Sequence, residues 1–146
     1  MQADEAQAPL SAEEQARQVL HRFNQAREQS GGTPLAFSPA LTDAAQTILP
    51  DHGLEQFDLA SREDLLDVLP PAERTRWRLI TMFSADCSAC GTIPTAADVR
   101  FFAQQWLDDP SYQQAVLDNS VTHVGFAIAT NGEGMKVALA VLARER

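Results

Sequence analysis

Apolar positions along the chain alternate between a helical and a strand-like period, and the switches mark its elements. Ala16, Val19, Leu20, Phe23 and Ala26 fall at the spacing of one buried helix face. Ser11 with Glu14 makes a capping box ahead of that run, and Gly31-Gly32 stops it. A second helix is predicted with Ser38 as N-cap and Pro39 at the first helical position. Its buried stripe is Leu41, Ala44, Ala45 and Ile48, closed by Pro50-Asp51-His52-Gly53. Residues 54–77 are patterned more weakly. There Ser61 and Asp64 suggest a short helix through Leu65, Leu66 and Leu69, ended by Pro70-Pro71. Residues 78–85 read as a strand. Thr95 starts a helix carrying Val99, Phe102, Ala103, Trp106 and Leu107, and Pro110 opens another with Ala115, Val116 and Leu117.

Residues 121–130 and 135–143 read as strands joined by Asn131-Gly132-Glu133-Gly134, a strong hairpin signal. The second of them, from Val137 to Ala143, is apolar throughout with no alternation. A strand apolar on both sides has to be covered on both faces, and the helices are there to cover it. The expected fold class is therefore α+β: a three-layer α-β-α sandwich around a largely antiparallel sheet. Residues 1–10 are read as a disordered lead-in and 11–146 as one domain, a length typical of a single domain.

Composition narrows the function classes. The net charge of −9 repels phosphate backbones and anionic membrane surfaces, so no nucleic-acid partner is expected. No apolar run approaches the roughly 20 residues of a transmembrane helix. The start, Met1-Gln2-Ala3-Asp4-Glu5-Ala6-Gln7-Ala8-Pro9, lacks the basic and apolar regions of a signal peptide. It looks like the mature end of an exported protein, periplasmic or secreted, from which a signal peptide has been removed.

Cys87-Ser88-Ala89-Cys90 is the most distinctive chemistry. Lying between a strand and a helix, the pair resembles a thioredoxin-type redox loop, with Cys87 as nucleophile and Cys90 as resolving thiol. The aromatic-Cys-Gly-Pro-Cys core is missing, however, and Asp86 beside Cys87 would raise a thiol pKa. A disulfide closing a surface loop is the favoured reading; free thiols and half a zinc site are further alternatives. His52 is either a cleft histidine or a surface turn residue, and His123 lies on a sheet face shared with Val121 and Gly125. His21 is expected to be exposed. No Gly-x-Ser-x-Gly context marks a hydrolase serine.

Several strings in order resemble the CAP superfamily of cysteine-rich secretory, antigen 5 and pathogenesis-related proteins, its bacterial members especially. They are Asn24-Gln25-Ala26-Arg27, Pro34-Leu35-Ala36-Phe37, Leu41-Thr42-Asp43-Ala44-Ala45, Trp106-Leu107-Asp108-Asp109-Pro110-Ser111-Tyr112 leading into Val116-Leu117, and Val124-Gly125-Phe126-Ala127 before the hairpin. The resemblance covers residues 19–49 and 98–143. It implies the CAP-like sandwich, and it implies a cleft where metal-binding relatives place two histidines and two acidic residues. Those histidine positions fall here on Ile48 and Tyr112, neither a good ligand. No metal, no cofactor and no catalytic residue is therefore expected. What the resemblance implies is an exported, non-catalytic domain. It would bind a small apolar ligand, a cell-wall component or a protein partner in a cleft near Ile48, His52, Tyr112, His123 and the Cys87–Cys90 loop. A thiol–disulfide oxidoreductase is the alternative.

Overall fold

The computed structural model describes residues 9–50, 53–57 and 68–146. Helix α1 runs Ala12–Gln29. Ser11 Oγ accepts from the Glu14 amide at 3.1 Å while Glu14 Oε1 accepts from the Ser11 amide at 2.9 Å, closing the capping box. Gly31, at φ 81°, takes the chain out of the helix through a left-handed turn that a side chain would disfavour. A two-residue strand β1, Ala36–Phe37, precedes α2, Pro39–Ile48, where Ser38 accepts from the Leu41 amide at 3.1 Å. The one-turn helix α3, Pro71–Arg74, leads into β2, Trp77–Cys87. Then come α4, Ala96–Asp108; α5, Pro110–Leu117; β3, His123–Thr130; and β4, Lys136–Glu145.

The sheet order is β1-β3-β4-β2, with β1 parallel to β3 and the other pairs antiparallel. Strand β4 is therefore flanked on both edges, and its residues from Lys136 to Ala143 are all buried. Ala138, Ala140 and Leu142 pack on one face with Val19 and Phe23 of α1, Val99, Phe102 and Trp106 of α4, and Val116 of α5. Val137, Leu139, Val141 and Ala143 pack on the other with Leu41, Ala45 and Ile48 of α2. Three layers around a largely antiparallel sheet is the architecture that the unalternating strand required. Trp106 is fully buried at the centre of the first cluster, 4.9 Å from the Phe83 ring and 5.9 Å from that of Phe126.

Helix α2 lies directly on β3. A Cβ on Gly125 would fall well inside van der Waals contact of the Leu41 carbonyl carbon and the Thr42 amide nitrogen, so only glycine lets the two backbones meet. The hairpin closes through Asn131, whose Oδ1 accepts from the Glu133 and Met135 amides at 2.8 and 3.1 Å.

Some expectations need correcting. Pro70-Pro71 also begins a helical turn, because a proline at the first helical position loses no hydrogen bond. The helix predicted from Ser61 through Leu69 lies, up to residue 67, outside the described residues. Pro9 and Leu10, read as disordered lead-in, are held in place. Pro9 bridges Thr95, and the Leu10 amide donates to the Pro94 carbonyl at 3.0 Å. Leu10 also packs against the core.

Candidate functional site

Two residues of the motif on α1 turn out to hold the scaffold that positions the rest. Asn24 pairs with the Leu35 backbone in both directions, donating to its carbonyl at 3.1 Å and accepting from its amide at 2.7 Å. Arg27 is fully buried. Its guanidinium donates to the carbonyls of Thr33 at 2.6 Å, Val116 at 2.7 Å, Asp118 at 2.9 Å and Val121 at 3.2 Å. These bonds fasten the end of α1 to the end of α5 and the approach to β3. Burial pulls the Arg27 pKa down, with the Asp118 carboxylate opposing it.

The residues expected to form a cleft are dispersed. Ile48 is buried in the cluster on the α2 side of the sheet. Tyr112 packs in the opposite cluster, its ring 5.2 Å from that of Phe83. His123 opens β3 at the end of the sheet where β2 begins, its ring edge-on to Trp77 at 5.0 Å. It shares the α2 side with Gly125 as expected, but Val121 belongs to the other cluster. Thr122 Oγ1 lies 2.8 Å from His123 Nδ1, and burial lowers the imidazole pKa, with Glu145 opposing and Arg76 adding to the shift. Cys87 closes β2 at the far end of that strand. His52 lies outside the described residues. Alternation along a strand and a sheet between two helical layers explain the scatter, since neighbouring positions in a motif can face different cores.

Cys87 and Cys90 are joined as a disulfide, with Cα atoms 6.0 Å apart. The loop docks on the β3–β4 hairpin through the Cys90 amide, which donates to the Gly134 carbonyl at 2.8 Å. The redox alternative finds no support here. Helix α4 starts at Ala96, six residues after Cys90, with its N-terminus closed by the reciprocal Thr95–Asp98 cap.

The metal site implied by the family also does not fit. Ile48 has no lone pair to give, and among the described residues no three His, Cys, Asp or Glu side chains stand together.

Two features were missed from the sequence. Lys136, fully buried, pairs with Asp98 Oδ2 at 2.5 Å, and the same oxygen accepts from the Thr95 amide at 2.8 Å and its hydroxyl at 3.1 Å. A lone lysine opening an otherwise apolar strand was the available signal. The second is a groove of about 670 Å³ between α1 and α4, lined by Arg22, Ala97, Arg100, Phe101, Gln104, Gln105 and Asp108. It shares Arg22, Gln104 and Asp108 with a neighbouring hollow of about 310 Å³ that adds Gln25, Gln29 and Gln113. Phe101 is 48% exposed, its ring edge-on to buried Phe102 at 5.3 Å. A third hollow, about 420 Å³, lies between α2 and α3 with Asp43, Glu73 and Arg76 on its rim.

Solved structures share this layering. An outer surface protein from Borrelia burgdorferi is 11% identical with a TM-score of 0.72, over 95% of this chain and 98% of that one. An extracellular protein containing an SCP domain from Bacillus anthracis is 16% identical with a TM-score of 0.63, over 94% of this chain and 45% of that one. A cysteine-rich secretory protein from Staphylococcus aureus is 12% identical with a TM-score of 0.60, over 89% of this chain and 38% of that one. The chain thus spans nearly all of the first and under half of the other two. At these identities the likeness is one of fold. No curated protein matches the sequence. The sequence itself goes further: the profile of CAP, the cysteine-rich secretory protein family, matches residues 20–142. The chain belongs to that family.

Proposed function

We propose that this chain is an exported, non-catalytic CAP domain that works by binding a small apolar ligand, a cell-wall component or a protein partner. The observation that carries the reading is the use made of the two positions where metal-binding relatives place histidines. Ile48 and Tyr112 serve packing in separate clusters, so those positions are spent on stability and do not converge on a reacting atom. Export is supported by the extracellular and outer-surface proteins that share the fold. Among the described residues no helix is long and apolar enough to cross a membrane. The apolar cleft expected beside Ile48 and Tyr112 loses its basis. Binding falls instead to the surface grooves.

The test is fractionation of source cells combined with metal analysis of the untagged protein. The protein is expected outside the cytoplasm and without stoichiometric zinc or copper. A cytoplasmic location, or one equivalent of either metal, would sink the reading.

A further inference from the structure

The groove between α1 and α4 has a lining whose chemistry can be read. On α1, Arg22 lines the groove, and Gln25 and Gln29, at the spacing of the same helix face, line the adjoining hollow. On α4, Arg100 and Gln104 stand one turn apart, as do Ala97 and Phe101, and the small Ala97 leaves room beside the ring. Among the described residues neither Arg22 nor Arg100 has an ion pair or a hydrogen bond. In a chain of net charge −9, two unpaired cations here outnumber the one carboxylate of the lining, Asp108, whose Oδ1 accepts from Gln104 Nε2 at 2.8 Å. They call for an anion on the ligand, and a guanidinium holds a carboxylate with two parallel hydrogen bonds.

The other groups narrow the anion's class. Gln105 in the groove, and Gln25, Gln29 and Gln113 in the adjoining hollow, each offer a donor and an acceptor without charge, which suits vicinal hydroxyls, while Gln104 keeps its acceptor free as it donates to Asp108. An apolar chain would leave those amides desolvated and unpaired. Nucleic acid is opposed by the field of the whole molecule. The half-exposed Phe101 ring offers an apolar surface for the C–H face of a sugar. At about 670 Å³ the groove is within the range of small-ligand sites, roughly 300–1,000 Å³.

We propose that this groove binds a carboxylated glycan, with Arg22 and Arg100 holding carboxylates, the glutamines holding hydroxyls and Phe101 stacking on a sugar ring. The proposal rests on the reading of the chain as a binding domain and names the site and ligand class within it.

The test is calorimetric titration of the whole chain with oligomers of galacturonate, alginate and hyaluronan. Methyl-esterified oligogalacturonate and poly-glutamate serve as the uncharged-sugar and charged-peptide controls. At least one carboxylated oligomer is expected to bind and to weaken as salt rises. Arg22→Ala and Arg100→Ala should each cost about tenfold in affinity. Phe101→Ala should cost about fivefold, and Arg78→Ala, on β2, should cost nothing. Thermal melts of all four variants check that the fold is kept. Equal binding of the methyl ester would overturn the proposal, because the cations would then be idle. Tighter binding of poly-glutamate, lost in the same arginine variants, would overturn it in favour of an acidic peptide. Glycan binding that survives all three groove variants would refute this site while leaving the binding-domain reading intact. If no carboxylated oligomer binds, the glycan assignment fails, and the fractionation and metal analysis still decide the broader reading on their own.

Discussion

Gly125 shows how much one residue's missing atom carries. It lets α2 rest its backbone on β3, and the clash a side chain would meet is with main-chain atoms that cannot rotate away. Gly125→Ala is therefore expected to lower stability by about 3 kcal/mol, the upper end of overpacking costs. Chemical denaturation is the measurement, and an unchanged midpoint would mean that α2 does not sit on β3. His123 makes a prediction of a different kind. Burial holds its folded pKa below the usual value of about 6.5, so the unfolded chain binds more protons in the interval between the two. The stability it contributes is present above about pH 6.5 and is lost as pH falls through the lower folded value. Melting temperature should decline as pH drops from about 7 to about 5, and His123→Gln should flatten that decline. An identical slope in the variant would remove His123 from the account.

Between elements, the Asp98–Lys136 pair ties the first turn of α4 to the first residue of β4. Both groups have left water, so the pair is costly to form and more costly to break. Asp98→Asn is expected to lose about 3–5 kcal/mol, because it leaves the ammonium buried without a counter-charge. Asp98→Asn combined with Lys136→Met should recover most of the loss, and strict additivity of the two changes would show that the charges are not coupled. Nothing local in the sequence reports this pair, since 38 positions separate its members. The capping boxes behave oppositely. Ser11 with Glu14 was readable because its two hydrogen bonds span three residues, and Thr95 marked the start of α4 for the same reason. Short range made these ends legible; strand β1, two residues long and paired with distant β3, was not.

For the molecule as a whole, the layered architecture was legible because a seven-residue apolar run has few ways to be satisfied. The site was not. Matching strings of the family fixed which residues stand at Ile48 and Tyr112, but facing depends on how the sheet is covered, which the strings do not encode. The groove was half visible, in Arg22, Gln25 and Gln29, but such a stripe is equally the ordinary wet side of a helix until α4 is placed against it.

Strand β4 comes after every other element described, yet it lies inside the sheet, and among the described strands β2 pairs with it alone. Any process that delivers the polypeptide head first, whether a ribosome or a translocation pore, supplies the keystone last. Until then β2 stays an unmatched edge and both helical layers lack the surface they close upon. Passage through a narrow channel would thus meet a thread and not a knot, with consolidation deferred to the far side.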